Sequence, residues 1–262
     1  MRPQGVSTAL YGWMERFARD GVAWDWESLY SACARSGVDA VETDATDAKR
    51  AILDRLGLRV SASYIGMPLG GAFVDLEVHD RVLPVARRLA AAGGTVLLLN
   101  ADGAHASGFA RKTDSEVRRQ GENLSRLADL VDPLGLRVAL HNHADEYDAA
   151  ARDLASVVEH ADPTVGLCID TAWAIAAGHD PVMWAQEFTS RVLAVHLRNV
   201  REGVPTETLF DGEFDVDRFL SSLEDYRGWL TLELWHPEPL QPVGDMESAV
   251  RMSTDRLRHA VA

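Results

Sequence analysis

The amino-acid sequence predicts an α/β protein built as a single (β/α)8 barrel, and three observations carry that expectation. Eight short apolar runs alternate with eight longer amphipathic stretches from one end of the 262 residues to the other. Glycine stands just past a helical stretch and just before an apolar run at Gly37, Gly57, Gly94, Gly135 and Gly228, where a left-handed helix cap is sterically cheapest. No GxGxxG follows an apolar run and no GxxxxGK(S/T) occurs, which removes the dinucleotide-binding and P-loop folds as alternatives.

The strands are expected at Val6–Tyr11, Asp39–Glu42, Leu58–Tyr64, Thr95–Asn100, Leu136–His141, Val165–Asp170, Val192–Leu197 and Trp229–Leu234. Continuous apolar character over four to seven residues fits strands buried on both faces, as in a parallel sheet. Helices are expected at Asp25–Arg35, Ala45–Leu56, Glu77–Ala92, Asp114–Leu134, Ala150–His160, Pro181–Thr189, Val216–Tyr226 and Met246–Ala260. Eight units of about 30 residues match a closed barrel better than an open doubly wound sheet, and residues 1–262 are read as one domain.

Composition narrows the function. The chain carries 26 Lys+Arg against 40 Asp+Glu, a formal charge of −14, with no basic cluster. Phosphate-backbone binding needs concentrated positive charge, so no nucleic-acid partner is expected. The same charge disfavours anionic membranes, and no run approaches the ~18 apolar residues of a spanning helix. With no signal-type apolar segment after residues 1–5, a cytoplasmic protein is expected. Cys33 and Cys168 show no CxxC spacing and are read as reduced, buried thiols.

In such a barrel chemistry sits at the C-terminal ends of the strands. Those ends carry Tyr11, Glu42, Tyr64, Asn100 with Asp102, His141 with His143, Asp170, His196 with Arg198, and Glu233 with Trp235. Strand parity supports the set: His141 and His143 alternate with Val138 and Leu140, and Asp170, His196 and Glu233 likewise share parity with small or polar neighbours. A lone strand-end Asp commonly caps the next helix and a lone His commonly bonds within a core. His141, Asp170, His196 and Glu233 on four successive strands instead form a candidate metal site. Imidazole and carboxylate donors without thiolate suit Mn2+, Co2+, Fe2+, Zn2+ or Mg2+, and one divalent ion, manganese first, is the expected cofactor.

At these residues the chain resembles the xylose-isomerase-like TIM-barrel superfamily, the sugar phosphate isomerase/epimerase group that includes inosose dehydratases. The segments that carry the resemblance are 37–42 (GVDAVE), 135–143 (GLRVALHNH), 168–173 (CIDTAW), 177–181 (AGHDP), 191–198 (RVLAVHLR) and 232–234 (LEL). The resemblance implies one ion held at the ends of strands five to eight, with Asp170, His196 and Glu233 in the last three places. His141 stands in the first place, where the family commonly has Glu. His141 rather than His143 is therefore the expected fourth ligand.

The expected activity is a metal-dependent sugar isomerase or epimerase acting on a sugar, keto-sugar or cyclitol by proton abstraction beside a polarised carbonyl. A dehydratase or β-eliminase (a lyase) is the alternative, favoured by the missing strand-five glutamate, and a non-catalytic sugar-binding barrel is a further one. Glu233 is read as ligand and general base, with His143 and the loop acid Glu146 as further proton-transfer candidates. Tyr11, Glu42, Tyr64, Trp173, Arg198 and Trp235 are candidate substrate contacts, with Trp13 as another strand-end aromatic. The expected partner is a small carbohydrate; assembly into a homo-oligomer is left open.

Overall fold

The computed structural model describes residues 1–101, 111–144, 146–234 and 244–261. In chain order the elements are β1 (Val6–Ala9), α1 (Tyr11–Arg19), α2 (Trp26–Arg35), β2 (Ala40–Glu42), α3 (Asp47–Leu56), β3 (Arg59–Gly66), α4 (Val78–Arg81), α5 (Leu83–Ala91), β4 (Val96–Asn100) and α6 (Asp114–Val131). They continue with β5 (Arg137–His141), α7 (Tyr147–Val158), β6 (Gly166–Asp170), α8 (Thr171–Ala176), α9 (Pro181–Glu187), β7 (Val192–Leu197), β8 (Val200–Arg201), β9 (Val204–Pro205), α10 (Val216–Ser222), β10 (Leu230–Leu232) and α11 (Met246–Val261). Eight strands close into a parallel barrel in the order β1-β10-β7-β6-β5-β4-β3-β2, while β8 and β9 form a separate antiparallel hairpin.

The eight expected strands are the eight barrel strands. Their alternation divides the core into two layers. Leu97 and Leu99, Val138 and Leu140, Leu167 and Ile169, Val195 and Leu197 join the large apolar layer between sheet and helices. Leu98, Ala139, Cys168 and Ala62 form a small inner layer within the barrel, with Ala194 packed against it. Small side chains inside leave room above them for the polar groups at the strand ends.

Three elements differ from the sequence expectation. The first strand stops at Ala9, and Tyr11 opens α1 instead of ending β1, because the chain turns beneath the backbone of Leu234: a Cβ on Gly12 would lie 2.1 Å from the Leu234 carbonyl oxygen. Glu77–Ala92 is two helices, since Pro84 in the first turn of α5 has no N–H to continue the ladder from α4. The last strand is shorter than expected, so Glu233 stands one residue past β10. Helices α1 and α8 and the β8–β9 hairpin were not anticipated.

Gly121 sets the approach of α6 to α7. A Cβ there would sit 2.3 Å from the Ser156 carbonyl oxygen and 2.6 Å from His160 Cβ. On an open helix face, Gly121→Ala would stabilise by about 1 kcal/mol through helix propensity. Here the expected outcome is the reverse, a loss of about 1–3 kcal/mol from overpacking in urea denaturation. An alanine variant as stable as the parent would show that α6 and α7 are free to separate.

Candidate active site

Glu42, His141 and Asp170 end β2, β5 and β6, His196 is the penultimate residue of β7, and Glu233 follows β10. Sheet register staggers them along the barrel, and their side chains converge at its mouth. Asp170 pairs with His196 across β6 and β7, His141 pairs with Cys168 across β5 and β6, and Thr231, two residues before Glu233, pairs with His196. One ligand atom from each of His141, Asp170, His196 and Glu233 lies within 4.8 Å of the others.

Asp170 does two jobs with its two oxygens. Oδ1 accepts from the Trp173 backbone N–H at 2.9 Å, capping α8, and so fixes the carboxylate. The backbone of Asp170 is clamped by Asn142, which donates to its carbonyl at 3.0 Å and accepts from its N–H at 2.8 Å. Oδ2 is left facing the barrel mouth, 3.0 Å from Arg198 Nε and 3.6 Å from His141 Nε2.

A buried charge network surrounds it. His196 lies between two carboxylates, Nε2 at 2.9 Å from Glu42 Oε2 and Nδ1 at 2.7 Å from Glu233 Oε2. The Arg198 guanidinium spans Asp170 and Glu233, with Nη2 bonded to Glu233 Oε1. Its backbone is fixed by Thr171, whose hydroxyl donates to the Arg198 carbonyl at 2.7 Å and accepts from its N–H at 2.9 Å. Burial alone would raise both carboxyls, but Arg198 outweighs it and holds Asp170 below the usual carboxylate value; Arg198 and His196 hold Glu233 well below. Burial opposes the charge on His196, and Cys168, Glu42 and Glu233 overcome it, raising the imidazole well above its ordinary value.

The donor set fits a divalent ion on geometric grounds. Both ring nitrogens of the buried His141 lack a hydrogen-bond partner, and its Nε2 faces Asp170. A buried imidazole left that way costs roughly 1–3 kcal/mol for each unsatisfied group, which coordination would recover. Arg198 occupies much of the carboxylate side, so an ion entering there shares Asp170 and Glu233 with the guanidinium.

The other sequence candidates are placed around this cluster. Tyr64 sets its ring edge-on to His141 at 5.4 Å, and its hydroxyl accepts from Asn100 Nδ2. Burial raises its phenol, which keeps it protonated. His143 tilts against Trp173 at 4.2 Å, with its ring 5.8 Å from that of His141. Burial first, then His141, pulls His143 down to about 4. Tyr11 is half exposed, and its phenol is raised by burial and then Glu15. Glu42 is buried on His196, and Glu146 is exposed as the residue before α7. Trp13 is fully buried, its indole N–H donating to Thr8 Oγ1 at 3.0 Å, so it packs beneath the rim rather than lining it. Trp235 and Asp102 lie outside the described residues. Sequence reasoning passed over Asn142 and Thr171, which position Asp170 and Arg198; the polar pairs His-Asn and Asp-Thr at buried strand ends were the available signal.

A closed (β/α)8 barrel with an imidazole–carboxylate cluster at the C-terminal strand ends defines a class of barrel enzymes with chemistry at that face. The chain matches the xylose isomerase-like TIM barrel family over residues 30–257 and belongs to it. An inosose dehydratase of Geobacillus kaustophilus is 33% identical over 144 residues, 47% of this chain and 47% of that protein. A rhizopine catabolism protein of Rhizobium meliloti is 24% identical over 214 residues, 71% of this chain and 66% of that one. The chain spans about half the length of the inosose dehydratases it matches. An L-ribulose 3-epimerase structure superposes with a TM-score of 0.73 at 16% identity, covering 100% of this chain and 95% of the other. A xylose isomerase domain protein of Alicyclobacillus acidocaldarius gives 0.72 at 21%, covering 98% of each. Among the described residues, no helix is long and apolar enough to cross a membrane.

Two outcomes follow for the protein without added metal. Arg198→Met removes the cation from two buried carboxylates and is expected to cost about 3–5 kcal/mol, read from urea denaturation; a change below about 1 kcal/mol would show that Asp170 and Glu233 do not depend on it. Stability should also be greatest between about pH 5 and pH 6.5. The lowered carboxyls contribute fully above their unfolded values and lose that contribution as pH falls. The raised His196 contributes fully below its unfolded value and loses it as pH rises toward its folded one. Urea midpoints across pH check this, and Glu233→Gln should flatten both limbs.

Proposed function

We propose that the protein is a divalent-metal-dependent enzyme of carbohydrate metabolism that removes the proton beside the carbonyl of a keto-cyclitol or keto-sugar, with dehydration as the outcome the site supports best. The observation that carries this reading is the convergence of His141, Asp170, His196 and Glu233 at the barrel mouth, one ligand atom of each within 4.8 Å of the others. His141, Asp170, His196 and Glu233 would hold the ion, which when bound supplies Lewis acidity to the carbonyl.

Glu233 is the candidate base. On Arg198 and His196 it is a weak one, because both stabilise its charged form. Movement of the guanidinium off Glu233 as substrate enters would raise its basicity toward what proton abstraction needs. Tyr64 has its hydroxyl proton left to give to a substrate oxygen, since Asn100 already donates to that oxygen. Trp173 and Tyr11 offer aromatic faces to the apolar side of a ring.

Dehydration removes one proton from carbon and a hydroxyl from its neighbour, and a single carboxylate suffices, because the proton it takes passes to the departing hydroxyl to form water. Epimerisation needs proton-transfer groups on both faces of the carbon, and β5 ends in His141 where a second carboxylate would stand. The inosose dehydratases among the curated relatives support the same order. Isomerisation or epimerisation is the second reading, with His143 as the opposite group because its imidazole is neutral at physiological pH.

Incubation with inososes and keto-sugars in deuterated water tests the proposal. An unsaturated, dehydrated product is expected; deuterium in recovered sugar without loss of water would replace it by the second reading, and no turnover with added divalent ion would reject both. Glu233→Gln is expected to abolish turnover while still binding ion by calorimetry, since the amide keeps an oxygen donor but loses basicity. Activity within about tenfold of the parent would remove Glu233 as the base.

A further inference from the structure

We propose that Cys168 gives the barrel mouth a second, deeper ion position, in which its thiolate and the imidazoles of His141 and His196 bind a thiophilic divalent cation of the zinc or cobalt type. The proposal rests on the reading of the site as a metal site and adds to it a sulfur donor and a preference among ions. Sγ of Cys168 and one ring nitrogen from each histidine lie within 4.8 Å of one another. All three side chains are almost completely removed from solvent, at 2% exposure for His141 and 1% for Cys168 and His196.

Register explains the arrangement. Cys168 and Asp170 lie on the same face of β6, and Cys168 is the direct neighbour of His141 across β5 and β6. The thiol therefore stands one layer below the Asp170 carboxylate, beside small Ala139 and Ala194.

His141 stands apart from the charged groups around it. The carboxylates already have cations, Arg198 on Asp170 and on Glu233 and His196 on Glu42 and Glu233. Neither ring nitrogen of His141 has a hydrogen-bond partner. Of the three donors His141 is the one whose demand is unmet; His196 would exchange one carboxylate contact for the ion, and side-chain adjustment brings the three donors to bonds of about 2.0–2.3 Å. Soft thiolate with imidazole selects zinc-like ions over magnesium or manganese, which the upper carboxylates suit. Binding releases the thiol proton of Cys168 and one proton from the His196 imidazolium to solvent, and changes no oxidation state.

Titration of the folded protein with cobalt(II) reads this directly. A thiolate-to-cobalt charge-transfer band in the near ultraviolet is expected, absent from Cys168→Ser and retained in Cys33→Ser. X-ray absorption of the zinc-loaded parent, which needs no variant, should show one sulfur neighbour at about 2.3 Å. Cobalt bound with no sulfur band and zinc with no sulfur neighbour would overturn the role of Cys168, reduce it to inner-layer packing, and leave the nitrogen–oxygen site standing. A band that survives in Cys168→Ser would overturn it equally. Failure to bind either ion would overturn both this proposal and the metal reading beneath it.

Discussion

Three carboxylates buried at the mouth of one barrel are the constraint on which the rest of the site depends. Glu42, Asp170 and Glu233 cannot be taken out of water uncompensated, and the chain supplies Arg198 and a protonated His196 against them. Three negative groups facing two positive ones leave one negative charge, next to an imidazole with no hydrogen-bond partner on either nitrogen. A small divalent cation answers both deficits at once. Asn142 and Thr171 hold the backbones of Asp170 and Arg198, so the charged side chains are presented by fixed strand ends rather than by loops.

Asp170 shows why a structural and a functional role need not compete. Its Oδ1 caps α8, as a strand-end Asp commonly does, and that bond aims Oδ2 at Arg198 and His141. The cap is part of how the site is built. Arg198 is the less expected member. Its guanidinium neutralises the same two carboxylates that an ion would use, which couples ion entry, Glu233 basicity and the position of one side chain.

The barrel was legible in the sequence because burial on both strand faces leaves unbroken apolar runs, and because Gly57 and Gly135 mark helix ends with positive φ. Parity along Val138–His141 and Leu167–Asp170 placed the candidate donors inward and the large aliphatics outward, as the two core layers show. What the sequence did not disclose depends on contacts between distant segments. Helix α1 follows from the approach of Gly12 to Leu234, more than two hundred residues away. The pairing of Glu42 with His196 joins β2 to β7 across the barrel, and no local pattern in either strand announces it. Cys168 read as a buried thiol, which it is; its place beside His141 is a matter of register between β5 and β6.

Anomalous diffraction from crystals equilibrated with manganese(II) tests the central claim most directly. The account predicts a single peak at the barrel mouth, at about 2.0–2.6 Å from donor atoms of His141, Asp170, His196 and Glu233, with the Arg198 guanidinium displaced from at least one carboxylate. A barrel mouth without a peak, with Arg198 still spanning Asp170 and Glu233, would contradict it.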